Sequence, residues 1–508
     1  MENISCIFYG FYCICTCSRK SRSTTTDSVT STDTGFQESK SALRDDYEWQ
    51  REIISSKISS NIPYYNVVTM TTEVLAADTG PDGGVHCLDV EQIQYFNKFH
   101  ESKHSSTELV AGIANWTQDH RAFGLSQSLY DIDPKTQQPF GEPNADAFAV
   151  VARKNNAFMV LADGCGWGVG SFIAARTAVK GCIEYLTNHL HKSKTTGDII
   201  ESMLNSFKFA HNCILESSGT ITTLCAAVVF KMKGVKYSGL CVVNVGDSLA
   251  FIYRKQDGCV QEVSWGSHNP DERDMRQSGG CIGPLIGDSP DLRNLAFSFA
   301  YVDEGDIVFL ASDGITDNFD PNVLKVDSVE DIDNLVNEIT FERNSVLNKP
   351  TANDEFPKQK LHSTTDDQTS MKSSDISHII MKKVIQTDSP CQNEESSAKE
   401  LCAKLINFVL KQTSEKREFL EKSNLCKKDF EEKKKTIPGK LDHATVVAYE
   451  VCNFQLKPLR QTTLKDFAKL GESSVKCSGN VTVEMNNGNE SLSSTNKPEG
   501  YTLLGLLK

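Results

Sequence analysis

Apolar residues along this chain fall into two kinds of pattern: short unbroken runs closed by turn residues, and stripes spaced by three or four. Residues 147–162 read as two strands around a turn at Lys154-Asn155-Asn156. The chain after Gly170 reads as a helix, with Ile173, Ala174, Ala178 and Ile183 on one stripe. A second amphipathic helix spans 199–215 through Met203, Phe207, Ala210 and Ile214. Further strands are expected at 124–130, 224–230, 240–245, 250–253, 307–311 and 444–449, with a hairpin turn at 255–258. Residues 401–409 return to helical spacing, and 414–435 are highly charged. Short, hairpin-linked strands without regular crossover helices predict two antiparallel sheets with helices outside, not a doubly wound parallel fold.

The flanks carry weaker patterns. Residues 45–60 hold a short helix pattern, and Ile93 and Phe96 mark another over 90–100. Residues 66–80 carry weak strand character before the turn Gly80-Pro81-Asp82-Gly83-Gly84, and read as an accessory segment docked on a core that starts near Gly124. Residues 266–287 are rich in Gly, Pro and charge and read as irregular or short-helical, while 329–339 resemble a short acidic helix. A polar tract at about 345–395 reads as a mobile insertion with a helix pattern only at 376–384, because it lacks the apolar residues to offset the entropy of ordering. The organisation expected is a disordered start (1–44), one large domain (45–454) and a mostly disordered tail (455–508).

Charge and cysteine usage narrow the function classes. A formal net charge of −14 gives no sign of a basic groove for nucleic acid. There are 17 cysteines but no CxxC pair with zinc spacing, and Cys182, Cys213, Cys225 and Cys241 lie singly in apolar runs, as small buried hydrophobes do. That usage fits a reducing, cytoplasmic setting. Residues 4–17 form an apolar, cysteine-rich stretch too short for an ordinary membrane-spanning helix. Cys6, Cys13, Cys15 and Cys17, followed by Arg19-Lys20-Ser21-Arg22, are candidate acylation sites for membrane attachment.

The candidate chemistry lies at strand ends. Val160-Leu161-Ala162 leads into Asp163-Gly164, Phe309-Leu310-Ala311-Ser312 leads into Asp313-Gly314, and Asp442 stands just before the run 444–449. Three such acids converge only at electrostatic cost, since each raises the others' pKa. A hard divalent cation removes that cost, because magnesium and manganese favour carboxylate, carbonyl and water oxygens. Two cations bridged by one aspartate could ready a water for in-line attack on a phosphoester. Independent turn-capping by each acid is the alternative reading.

Taken in order, the motifs resemble those of the metal-dependent serine/threonine protein phosphatases, the PPM family. They are Asn144-Ala145-Asp146-Ala147-Phe148, the Asp163-Gly164-Cys165-Gly166 turn, Thr222-Thr223-Leu224 and Asn244-Val245-Gly246-Asp247-Ser248-Leu249-Ala250. Ser267-His268-Asn269-Pro270 with Gly279-Gly280, Ala311-Ser312-Asp313-Gly314-Ile315-Thr316-Asp317 and Leu441-Asp442-His443-Ala444-Thr445 complete the set. The resemblance implies an α+β fold, a four-layer α-β-β-α sandwich with two central antiparallel sheets. It also implies two magnesium or manganese ions: Asp163 would bridge them, the Gly164 carbonyl would bind one, Asp313 and Asp442 would complete the other, and Asp146 would act through water. Asp317 with Asp247 would hold a weaker third ion. The implied substrate is phosphoserine or phosphothreonine in proteins, acted on by a monomer; a catalytically weak or inactive pseudophosphatase that binds and regulates a partner is the alternative.

Five residues mark departures from the family pattern. Ala145 stands where many members have Glu, and Gly141 and Glu142 stand where an arginine usually clamps the phosphate, leaving Arg121 and Arg153 as candidate substitutes. Cys165 replaces the histidine thought to protonate the leaving oxygen; it is a candidate ligand or nucleophile, or a small filler of the turn. His443 replaces the usual Asn, and either orients Asp442 or packs.

Overall fold

Strands buried on both faces explain why the sequence shows unbroken apolar runs instead of alternation. The computed structural model describes residues 62–88, 109–264, 278–326, 332, 373–387, 397–422 and 427–452. The chain divides into two units, 1–455 and 456–508, and the second lies outside the described residues. So do the expected acylation sites, the helix patterns at 45–60 and 90–100, nearly all of 329–339, and the Ser267-His268-Asn269-Pro270 motif.

One sheet has six strands in the order β1 (Val74–Gly80), β3 (Asp146–Arg153), β4 (Asn156–Asp163), β5 (Leu224–Lys231), β6 (Ser238–Val245), β11 (Ala296–Val302). The other has five, in the order β2 (Ala122–Ser128), β13 (His443–Glu450), β12 (Ile307–Ala311), β7 (Leu249–Tyr253), β8 (Val260–Glu262). Every pairing within them is antiparallel. Between the sheets, Phe148, Val150, Met159, Leu161 and Val242 meet Ile252, Val308, Leu310, Val447 and Tyr449. The outer face of the first sheet, through Ala149, Val151, Phe158 and Val160, is covered by α1 (Val169–His189) and α2 (Thr196–Ser217). On the second sheet, Phe251, Phe309, Val446 and Ala448 are covered by α3 (Ser373–Gln386) and α4 (Ala398–Gln412). The result is the expected four-layer α-β-β-α sandwich. Two of the sheet-covering helices have side-chain N-caps: Thr195 accepts from Asp198 N–H in a capping box before α2, and Ser397 accepts from Glu400 N–H before α4.

Three expectations are corrected, and one strand goes unpredicted. The segment at 66–80 is no docked accessory: β1 pairs with β3 from Val74 to Gly80, so it is an integral edge of the six-stranded sheet. Its composition is weak because an edge strand buries less than its neighbours do. The stretch read as irregular contains β9 (Cys281–Ile286), which pairs with β10 (Ser289–Asp291). The strand β11, whose outer half is only partly buried, is not signalled by an unbroken apolar run. Within the tract read as a mobile insertion, α3 buries Ile380, Met381, Val384 and Ile385 against the second sheet. The charged stretch after α4 forms α5 (Ser414–Lys422) and α6 (Lys427–Thr436). Among the described residues no helix is long and apolar enough to cross a membrane.

Candidate metal centre

Strand direction brings the acids to one rim. Asp146 opens β3 and Asp163 closes the adjacent antiparallel β4, so the two stand opposite each other. Asp313 follows β12, Asp442 precedes β13, and these neighbours are antiparallel with Ala311 opposite Val446. Asp247 lies in the turn that carries the chain from β6 in one sheet to β7 in the other. Asp163 is held well above the usual carboxylate range, first by burial and then by the charges of Asp146, Asp313, Asp442 and Asp247. Asp146 is raised the same way, by burial and by Asp442 and Asp313. Its Oδ2 accepts from Thr445 Oγ1 at 2.6 Å, while the buried Oδ1 has no hydrogen-bond partner.

Two glycines let backbone approach this rim. A Cβ at Gly164 would lie 2.6 Å from Ser171 O and 2.8 Å from Ala145 O. A Cβ at Gly314 would lie 2.0 Å from His443 O, so only glycine lets the turn after Asp313 pass the start of β13.

The sequence pattern gave no sign of Lys440. Its ammonium lies 2.8 Å from Asp317 Oδ2 and 3.0 Å from Asp442 Oδ2, and it also contacts Asp313 Oδ2. Burial alone would lower its pKa, but the charges of Asp313, Asp442 and Asp317 outweigh burial and hold it well above the ordinary lysine value. Its backbone is clamped by one side chain: Lys440 N–H donates to Asn318 Oδ1 at 2.8 Å, and Asn318 Nδ2 donates to Lys440 O at 2.9 Å. Asp442 is further engaged through Oδ1, which accepts from Tyr130 Oη and from the His443 N–H, each at 3.0 Å. Burial and the charge of Asp313 raise its pKa to about 6. Trp167 Nε1 in turn donates to Tyr130 Oη at 2.9 Å, so a partly exposed indole steadies the Asp442 contact.

The remaining candidates separate clearly. Asp317 is held by Lys440 together with Asp313 and Asp442, whereas Asp247 faces Asp163 and Cys165. Burial, with Cys281 and Asp247 nearby, pushes the Cys165 thiol well up, which favours the unreactive thiol form. His443 is buried and kept neutral, its pKa lowered to about 4 by burial and then by the charge of Arg176. Its Nδ1 accepts from Ala145 N–H at 3.4 Å, and its backbone, not its ring, contacts Asp442.

Neither substitute arginine reaches the rim. Arg153 is the last residue of β3, seven residues and roughly 23 Å along the strand from Asp146, and is fully buried with Nη2 donating to Thr187 O. Arg121 forms a two-bond pair with Asp119, at the end of the second sheet where its carbonyl accepts from Glu450 N–H. The buried arginine that does approach is Arg176 of α1. It donates to Asn144 O at 2.9 Å and Pro81 O at 3.1 Å, and so positions the stretch that carries Asp146. A charged residue inside an apolar helix stripe is the signal that could have flagged it.

The donor set splits into two halves when tested against a divalent cation. Asp146, Asp163 and the Gly164 carbonyl offer hard oxygens, including the unpartnered Asp146 Oδ1. The other half, Asp313, Asp317 and Asp442, is already gathered on an ammonium. Among the described residues no three His, Cys, Asp or Glu side chains are arranged to close on one ion.

The two-sheet sandwich thus carries a carboxylate cluster on one rim. Residues 138–343 match the family model described as Protein phosphatase 2C. The Drosophila melanogaster PP2C-like domain-containing protein CG9801 is 40% identical over 281 residues, covering 53% of this chain and 38% of that protein. This chain thus spans well under half the length of the curated relative it matches. Solved structures similar to it include the photosystem II phosphatase PBCP (15% identity, TM-score 0.35, 66% of this chain and 100% of that one). The Mycobacterium tuberculosis serine/threonine phosphatase PstP is another (14% identity, TM-score 0.32, 65% and 97%). Residues 138–343 of this chain thus resemble the protein phosphatase 2C family, the PPM-type phosphatases. Asp442 and Lys440 lie beyond the stretch that the family model matches.

Proposed function

We propose that this domain hydrolyses phosphoserine or phosphothreonine in proteins, with Asp163 as its central residue. The observation that carries the reading is the convergence of carboxylates from four separate chain segments on Asp163, a costly arrangement that a hard cation would relieve. Asp163, Asp146 and the Gly164 carbonyl would hold a magnesium or manganese ion; when bound, such an ion supplies a Lewis acid and an acidified water. The catalytic domain of the serine/threonine protein phosphatase PstP has been solved in complex with 2 manganese ions. Arg176 fixes the Asp146 stretch, Thr445 orients the Asp146 carboxylate, and Tyr130 with the His443 N–H orients Asp442.

A second reading, a pseudophosphatase that binds a phosphoprotein without turning it over, is favoured by one observation. Three of the acids already share the Lys440 ammonium, and both candidate clamp arginines lie away from the rim. Assay of the full chain on a phosphothreonine peptide with Mn2+, beside Asp163→Asn, decides between them. Turnover that disappears in Asp163→Asn is expected. Equal, negligible rates in both proteins would overturn the enzymatic reading and leave the second.

A further inference from the structure

We infer that Lys440 is a built-in cation that closes one of the family's two divalent-metal positions in this chain. The inference rests on the family reading above, but it concerns only the Asp313–Asp317–Asp442 side of the centre.

An ammonium carries three hydrogen-bond donors, and here three carboxylates surround it: Asp313, Asp317 and Asp442. Two of its donors are hydrogen-bonded to Asp313 and Asp317, and Asp442 Oδ2 pairs with it at 3.0 Å. The contact is built, not incidental. Asn318 grips the Lys440 backbone through both its N–H and its carbonyl, and the same Asn318 amide donates to Gly314 O at 2.8 Å. One side chain thus fixes the lysine and the turn that carries Asp313 in a single register. Asp442 arrives with its other oxygen already accepting from Tyr130 and from the His443 N–H.

Charge argues the same way. A divalent ion entering among these three acids would meet the ammonium at short range, and that repulsion would have to be relieved by swinging the lysine out of a cage of three acceptors. On the opposite side the cation at hand, Arg176, donates to the backbone oxygens of Asn144 and Asp146, and among the described residues no hydrogen bond joins it to the Asp146 or Asp163 carboxylate. Asp146 Oδ1 is buried without a hydrogen-bond partner, and Asp163 is pressed by neighbouring negative charges. Lysine and ion therefore divide the centre, the lysine on Asp313, Asp317 and Asp442, the ion on Asp146, Asp163 and Gly164.

The test is a count of bound Mn2+ per full-length chain, by equilibrium dialysis with metal analysis, for the parent, Lys440→Ser, Lys440→Arg and Asp163→Asn. The parent is expected to bind one ion, Lys440→Ser two, and Lys440→Arg one. A parent that binds two ions, or a folded Lys440→Ser whose count equals the parent's, would overturn the inference. If Lys440→Ser unfolds in chelator, it is expected to refold when millimolar Mn2+ is supplied, and failure to do so also counts against the exchange. The metal reading of Asp163 is scored separately, by whether the parent's own ion is lost in Asp163→Asn. A parent with no ion, beside a Lys440→Ser that gains one, would sink that reading while leaving the role of Lys440 standing.

Discussion

Thr445 Oγ1 donates a 2.6 Å hydrogen bond to Asp146 Oδ2, joining the third residue of β13 in one sheet to the first residue of β3 in the other. The same hydroxyl lies 2.7 Å from Ser126 Oγ, which accepts from Asn144 Nδ2 at 3.0 Å, so a short polar network stitches the two sheets where the acids gather. Replacing Thr445 by Val keeps the shape and removes the donor. The expected outcome is a loss of about 1–3 kcal/mol in urea unfolding, because a buried carboxyl loses its partner. Thr445→Ser should recover most of it.

Gly314→Ala tests the close approach behind Asp313. The nearest atoms to the added Cβ are His443 O, His443 C at 2.7 Å and Ala444 Cα at 3.0 Å, all backbone of β13 or its start, so nothing flexible can give way. A loss of about 3 kcal/mol or more is expected. Gly197→Ala, in the first turn of α2 with its nearest neighbour at 3.7 Å, is the control and should stabilise by roughly 0.5–1 kcal/mol. Thermal unfolding of the two variants side by side checks both signs.

His443 gives the fold an acid-sensitive limb. Its folded pKa is depressed to about 4, against about 6.5 in an unfolded chain. Between those values the unfolded chain binds a proton that the folded one does not, so this residue's contribution is present above pH 6.5 and is lost as pH falls to 4. The shift corresponds to about 3 kcal/mol. Relative to His443→Asn, the parent should lose about 2–3 kcal/mol between pH 7 and pH 4 in urea titrations; an unchanged difference would show that the ring is not held neutral.

Cys165 should be chemically quiet despite its place beside Asp163. Burial and nearby negative charge keep it a thiol, and the thiolate is the reactive form. In native protein, iodoacetamide at pH 7.5 should label the exposed Cys87 and Cys259 well before Cys165, as read by peptide mass spectrometry. Rapid labelling of Cys165 would restore the nucleophile reading.

Local sequence was enough to locate what local forces decide. The runs 147–152, 157–162, 224–230 and 307–311 are apolar without interruption because their strands are covered on both faces, and Asp163, Asp313 and Asp442 announce themselves by ending or preceding such runs. The helices α1 and α2 were legible from their stripes, since one face of each packs on the first sheet. Membership of a sheet edge was not legible: β1 and β11 owe their places to hydrogen bonds with β3 and β6, partners far along the chain, and their own residues are only partly buried.

The centre itself was decided by tertiary structure. In sequence Lys440 follows a lysine-rich charged stretch and reads as solvated surface, yet the β13 register and the Asn318 clamp carry it into the acids. Arg121 and Arg153 looked available by chemistry and were excluded by position, since antiparallel strands place one end at the rim and the other end a full strand length away. Residue type fixes which charges exist, and strand periodicity fixes which residues end a strand. Only the pairing of distant strands decides which charges meet, because that depends on register between segments that do not know of each other along the chain.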